Sequence, residues 1–330
     1  MEHEHRKLLV ITYICSAILV MVITFKFIDL FSRLSPITDV GDSEQISRAT
    51  EEIKYIVTDP NFYSFNIDKE SVQNIKKIAT STVEIFDKDG ITAKAYIVGD
   101  IERDVVLLKK MEKTALPVAS MSKLVTALVS KELIQPDKVI TITREEAGLP
   151  KDGSMIIADE QFSVSELLYP LLLNSSNVAA EALASATGRV GFLENMSSYA
   201  WELGMSKTYF ADASGLSPKN KASAEDLFSL AKYLYVYRPD ILEITRVSKT
   251  EVSTTTEPNH GSHVFTSTHP FIHEKGFIGG KTGRTFEAGE TMMTILDIKG
   301  RKFVFIVLGS QYGYREKDTR LLIAKLNKQI

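Results

Sequence analysis

Pro117-Val-Ala-Ser-Met-Ser-Lys-Leu-Val-Thr-Ala127 lies in the middle of the 330-residue chain and marks where an extended segment gives way to a helix. Pro117 sets the boundary, and Met121, Leu124, Val125, Leu128 and Val129 fall on one side of a helix from about Ser120 to Leu133. Ser120 then stands at the helix start, where free backbone N–H groups and the positive dipole end can stabilise a developing oxyanion. Lys123 follows one turn later on the same face, so its amine can reach the Ser120 hydroxyl. For Lys123 to accept a proton near neutral pH its pKa must fall, which burial and a second cation such as Lys281 would promote.

Outward from this helix the pattern is strands, then helices, then strands. Period-two alternation begins near Thr82, continues from Ala93 to Gly99 and recurs from Val105 to Lys109. The middle third is helical: Ser163-x-x-Glu166 is a capping-box signature opening Val164 to Leu173, Val178 to Ala186 ends at Gly188, and Ser223 opens an amphipathic helix through Tyr235. After Gly276 come strands at 277–286, 291–297 and 302–308, with turns at Glu287-Ala-Gly289 and Lys299-Gly300. The last strand is apolar on both faces and so belongs in the centre of a sheet. A helix from Arg315 to Ile330 closes the chain over that sheet. The predicted fold is α+β, an antiparallel sheet built from both ends of the domain with an all-helical subdomain inserted and a cleft between them.

Two further motifs fall at that cleft. Asn174-Ser-Ser-Asn177 is a predicted loop between two helices, from which Ser175 and Asn177 can point the same way as proton relay and amide ligand; capping by short polar residues is the structural alternative. Lys281-Thr282-Gly283 lies on a predicted strand, where an ammonium and a hydroxyl can meet a carboxylate and the glycine permits close approach. Neither of the first two motifs is specific alone, since Ser229-Leu-Ala-Lys232 also reads S-x-x-K and Ser64-Phe-Asn66 also reads S-x-N. Order and local context carry the assignment. His260-x-x-His263 and His269-x-x-x-His273 lack the H-E-x-x-H arrangement of a zinc site and are read as loop histidines.

The net charge of −3 with mixed signs leaves no basic field for nucleic acid. Leu8 to Phe25 runs without a charge, enough for ~27 Å of helix at ~1.5 Å per residue, and no small-residue cleavage site follows. The expected organisation is a short cytoplasmic tail at 1–7, a transmembrane signal-anchor helix at 8–28, a polar membrane-proximal stalk at 29–80 and the catalytic domain at 81–330. Cys15, the only cysteine, falls within the anchor, so no intramolecular disulfide forms. The lipid bilayer is thus an expected partner.

Taken together, the three motifs resemble those of the low-molecular-mass penicillin-binding proteins of the D-alanyl-D-alanine carboxypeptidase type, from about Thr82 to Ile330. The residues around them match too: Pro117 to Ala127, Leu167-Leu-Tyr-Pro-Leu-Leu-Leu-Asn-Ser-Ser-Asn177, Asp212-Ala-Ser-Gly-Leu216 and Lys281-Thr-Gly-Arg-Thr-Phe-Glu-Ala-Gly289. The resemblance implies a β-lactamase/transpeptidase-like fold and a serine peptidase that removes the terminal D-alanine of peptidoglycan stem peptides, is acylated by β-lactams, and needs no metal or cofactor. It further implies Ser120 as nucleophile, Lys123 as general base, Ser175 as proton relay, Asn177, Lys281, Thr282 and Gly283 as substrate contacts, and the backbone N–H groups of Ser120 and Arg284 as the oxyanion hole.

Two residues depart from the pattern. Pro170 falls inside a predicted helix and implies a kink just before Ser175, and Arg284 places a bulky cation beside the third motif. Many such proteins append a C-terminal β domain and anchor; here the N-terminal helix is expected to take the anchor's place, which would put the catalytic domain on the extracytoplasmic side of the cell membrane. A serine β-lactamase shares the three motifs but usually carries an E-x-x-L-N string, absent between Asn177 and Lys281. The other alternative is a catalytically weak cell-wall or β-lactam sensor.

Overall fold

The computed structural model describes residues 89–150, 154–254 and 261–330. The chain divides into two compact units, Met1–Gly90 and Ile91–Ile330, and the secondary structure described belongs to the second. The expected anchor at 8–28 and stalk at 29–80 lie outside the described residues, as does the strand expected near Thr82. Among the described residues no helix is long and apolar enough to cross a membrane.

In chain order the unit begins with β1 (Ala95–Asp100), β2 (Val105–Lys110) and the short β3 (Leu116–Pro117), then a 3₁₀ turn, Ala119–Ser122, leading into α1 (Lys123–Leu133). There follow β4 (Val139–Thr141), α2 (Arg144–Ala147), β5 (Gln161–Ser163), α3 (Val164–Tyr169), a π-helical turn at Pro170–Asn174, α4 (Asn177–Ser185) and α5 (Arg189–Glu202). After β6 (Lys221–Ala222) come α6 (Ala224–Tyr237), α7 (Pro239–Thr245) and the hairpin β7 (Lys249–Ser253) with β8 (Ser262–Thr266). The chain closes with β9 (Phe277–Thr285), β10 (Gly289–Ile298), β11 (Arg301–Ser310) and α8 (Arg315–Asn327).

The main sheet is antiparallel with strand order β2-β1-β11-β10-β9, so strands from both ends of the unit meet side by side. β11 is central, as its two apolar faces require. Phe303, Phe305 and Val307 join Tyr96, Val98, Met292 and Leu296 beneath Leu322 and Leu326 of α8. Val304, Ile306 and Leu308 point the other way, with Ile97, Met293 and Ile295, into the helical layer that contains Leu124, Leu128 and Leu183. One period-two strand thus serves both cores of a helix–sheet–helix stack. The β10–β11 connection is a two-residue turn whose Lys299 and Gly300 both have positive φ, 54° and 81°, the geometry that matches the twist of paired strands.

Local signals set the helix starts. Ser163 and Glu166 form the expected capping box on α3, and Ser223 with Asp226 forms another on α6. Pro170 has no N–H to offer the helical ladder; α3 ends at it and the chain widens into the π turn, which delivers the expected distortion before Ser175. Two expectations need correction. Asn177 is the first residue of α4 rather than a loop residue, because the Ser176 hydroxyl accepts from Ala179 N at 3.1 Å and caps the helix there. Ser120 occupies a 3₁₀ turn just ahead of α1, because Ala119 takes φ 49° and tightens the entry.

Replacing Ile306 in the central strand by alanine should lower the unfolding free energy by about 2–5 kcal/mol, whereas alanine at half-exposed Val105 on the edge strand should change it by only about 0.5 kcal/mol. Urea titration of the two variants checks the sheet order; equal effects would contradict it.

Candidate active site

Lys123 is wholly buried, an unusual place for an amine, and it is held by hydrogen bonds from three parts of the chain. Its Nζ donates to Ser120 Oγ at 3.0 Å, to Asn177 Oδ1 at 2.8 Å and to the Ser214 carbonyl at 2.5 Å. The first contact spans the single turn between the motif's serine and lysine. The second joins α1 to the start of α4, and the third reaches the Asp212–Leu216 loop. Asn177 also donates through Nδ2 to Pro150 O at 3.3 Å, which ties the segment before α3 to the same point.

A second buried amine faces the first group of residues from the sheet edge. Lys281 Nζ donates to Ser175 Oγ at 2.8 Å and to the Thr282 carbonyl at 2.9 Å. Ser175 is left-handed, with φ 65° and ψ 35°, a conformation that costs a non-glycine residue on the order of 1 kcal/mol and that ends the π turn with its hydroxyl toward β9. Thr282 Oγ1 lies 3.1 Å from Thr268 Oγ1. Gly283 closes the gap to the Ser120 turn: a Cβ there would lie 3.0 Å from both Ser120 N and Val118 O and 2.5 Å from Thr291 Oγ1. Only a glycine lets the strand run this near the turn.

The edge around Gly283 is cationic. Arg315 Nη1 donates to Gly283 O at 3.1 Å, and burial lowers its pKa from the usual guanidinium value, an effect that Glu290 opposes and Arg284 reinforces. Arg284 itself turns outward: its Nη1 donates to Tyr312 Oη at 3.0 Å and its guanidinium sits 5.0 Å from that ring's centre. Behind β9, His269 accepts from Phe271 N at 3.2 Å and its Nε2 is 3.0 Å from the Met293 carbonyl, so the ring is a neutral strut. Desolvation first, and Lys281 and Arg315 with it, depress its pKa from 6.5 to about 3, against the opposing hydrogen bond to Met293. His263 pairs with Glu160 at 2.7 Å.

Ser120, Lys123, Ser175, Asn177, Lys281, Thr282 and Gly283 therefore converge from a 3₁₀ turn, two helices, a left-handed loop residue and a strand. The competing Ser229-x-x-Lys232 does not join them; Lys232 Nζ binds Asp104 at 2.6 Å. Residues the sequence reading passed over are Ser214, Asn220, Thr268 and Arg315. The Asp212 to Leu216 string was a signal for the first, whereas Arg315 meets a carbonyl 32 residues away and leaves no local trace.

The D-alanyl-D-alanine carboxypeptidase family matches residues 81–312. This chain belongs to that family. It is 37% identical over 164 residues to the D-alanyl-D-alanine endopeptidase of Haemophilus influenzae, covering 48% of this chain and 56% of that protein. It is 26% identical over 250 residues to the D-alanyl-D-alanine carboxypeptidase DacD of Escherichia coli, covering 71% of this chain and 62% of the other. The chain thus spans less than two thirds of the length of these relatives. Among solved structures it resembles penicillin-binding protein D2 of Listeria monocytogenes in its ampicillin-bound form, with 29% identity, a TM-score of 0.62, and coverage of 71% of this chain and 96% of that one. The Streptomyces K15 DD-transpeptidase shares the fold, with 23% identity and a TM-score of 0.66 over 71% of this chain and 96% of that one.

His269 makes stability depend on pH. Between about 3 and 6.5 the unfolded chain binds a proton that the folded chain refuses, so stability is full above 6.5 and falls as pH drops toward 3. The slope from this residue should approach ~1.4 kcal/mol per pH unit within that window. Urea unfolding from pH 4 to 7 should show a shallower slope for His269→Gln than for the unsubstituted protein; parallel slopes would show that His269 is not buried neutral.

Proposed function

We propose that this protein is a serine D-alanyl-D-alanine carboxypeptidase that removes the terminal D-alanine of peptidoglycan stem peptides through an acyl-enzyme. The observation that carries this reading is the Lys123 amine, buried and 3.0 Å from Ser120 Oγ, within a chain that belongs to the family. An ammonium has three protons, and among the described residues three acceptors face this one. Loss of one proton inverts a single contact: the Ser120 hydroxyl donates to Nζ, and the serine oxygen becomes the nucleophile while Asn177 and Ser214 still fix the amine.

The steps follow from that inversion. Ser120 Oγ attacks the carbonyl of the D-alanyl-D-alanine bond as Lys123 takes its proton. The tetrahedral oxyanion is met by the backbone N–H groups of Ser120 and Arg284, a role supported by the close approach of β9 at Gly283 to the Ser120 turn, where an added Cβ would lie 3.0 Å from Ser120 N. Ser175, hydrogen-bonded to Lys281, relays a proton to the leaving amine, and D-alanine departs. Water then attacks the ester and restores Ser120. Asn177 binds the substrate amide, and Lys281 and Thr282 hold the terminal carboxylate at the cationic edge that Arg315 extends. A β-lactam enters the same path as covalent inhibitor, in keeping with the ampicillin-bound relative.

The likeness to an endopeptidase of Haemophilus influenzae favours a second activity of the same acyl chemistry, cleavage of a cross-link instead of release of free D-alanine. The uncharged run from Leu8 to Phe25 supports a membrane anchor that places the catalytic unit outside the membrane, where stem peptides occur. Deletion of residues 1–28 should then release the protein from the membrane fraction.

Full-length protein incubated with a fluorescent penicillin should become covalently labelled, and Ser120→Ala should abolish the label. Lys123→Ala should slow labelling at least ~100-fold, the usual worth of a positioned base. Persistent labelling of Ser120→Ala would sink the nucleophile assignment. Free D-alanine released from a pentapeptide, scored beside cleavage of a cross-linked dimer and hydrolysis of a β-lactam, separates carboxypeptidase, endopeptidase and lactamase.

A further inference from the structure

We propose that Asn220 is a positioning residue for acylation, a buried side chain that holds the Ser120 turn and the loop bearing the carbonyl acceptor of Lys123 in one register. This rests on the proposed acyl-enzyme chemistry. Asn220 is wholly buried and touches none of the groups that would meet substrate.

Its amide faces two directions. Oδ1 accepts from Ala211 N at 2.8 Å and Asp212 N at 3.2 Å; both partners can only donate, so the oxygen must lie on that side. Nδ2 therefore points to the acceptors on the other side: Asp212 O at 2.9 Å, Asp212 Oδ1 at 3.2 Å and Ser122 Oγ at 3.0 Å. The main chain of the same residue adds a third grip, its carbonyl accepting from Val118 N at 3.0 Å.

Two of these contacts lead toward the reacting groups. Ser122 passes its own proton to Ala119 O at 3.0 Å, so Val118, Ala119 and Ser122, which flank Ser120, are all fixed through Asn220. On the other side the Asp212 carboxylate binds Gly215 N at 2.5 Å, Ser217 N at 2.6 Å and Ser214 Oγ at 3.2 Å. That loop offers the Ser214 carbonyl to Lys123 Nζ. It also abuts the Ser120 turn directly: at Gly215, with φ 83°, a Cβ would lie 2.0 Å from Ala119 O. Hydroxyl and amine are thus aligned by one buried amide between their supports. A misplacement of about 1 Å between reacting groups costs on the order of 100-fold in rate.

Asn220→Asp keeps the volume and the oxygen facing Ala211 and Asp212, but replaces the donor aimed at Ser122 and Asp212 by an acceptor. Ser122→Ala removes the far end of the same contact with less disturbance. Stopped-flow labelling of the full-length chain with fluorescent penicillin separates the non-covalent dissociation constant from the acylation rate constant. The expected result is an acylation constant lower by about 10-fold or more in Asn220→Asp, a dissociation constant within about twofold, and a double variant no slower than the slower single, as for residues acting as one unit. A normal acylation constant, a loss carried by the dissociation constant, or additive losses would overturn the proposal. If Asn220→Asp does not fold, Ser122→Ala decides alone: a slower acylation step supports the positioning role and a normal one refutes it. Absence of labelling in the unsubstituted protein would refute the acyl-enzyme reading itself, an outcome distinct from normal labelling of the variants.

Discussion

Burying an amine away from water costs several kcal/mol unless its protons find acceptors, and Lys123 finds them only where α1, α4 and the loop at 212–216 meet. That demand organises the domain. Asn177 must begin a helix so that its side chain stands beside α1, the loop must press its Ser214 carbonyl inward, and Ser120 must lie one turn ahead of the amine. Lys281 repeats the arrangement from the sheet, buried against Ser175 and a carbonyl of its own strand. Two buried amines, each hydrogen-bonded by different elements, place the helical layer and the sheet edge around one cleft.

Two of the described non-glycine residues with positive φ stand at the same points. Ala119 and Ser175 both take positive φ without being glycine, 49° and 65°. The first precedes Ser120 and the second carries the hydroxyl that meets Lys281. Their surroundings hold them there: Ala119 O accepts from Ser122 Oγ, and the Ser175 and Ser176 amides both bond to Pro170 O. Pro170 thereby acquires a local purpose, since the missing N–H lets the helix open into the wide turn that aims Ser175.

Much of this was legible along the chain. The unbroken apolar run in 303–308 placed a strand with two apolar faces at the sheet centre, and the capping boxes at Ser163 and Ser223 marked two helix starts within a residue. What escaped lacked a strong period. α5 exposes Val190 and Trp201 and buries few residues, and the β7–β8 hairpin buries one side chain per strand, so neither carries a clear apolar face. α7 is a single short segment after Pro239 whose reason to be helical is the packing of Ile241 and Leu242 against the core.

The sequence by itself determined the outer strands, the helix after Pro117, the capped helix starts, the three motifs and the strand that bears Lys281, because propensity, capping and periodicity act between near neighbours. Only the tertiary structure decided that Lys123 has three acceptors, that Gly283 must pass beside Ser120, that Asn177 opens a helix, and that Asn220 joins the Ser120 turn to the 212–216 loop. Those contacts link residues 54, 91 and 98 positions apart at Asn177, Ser214 and Asn220, distances over which no sequence period survives. They exist because folding brings buried polar groups together until each finds a partner.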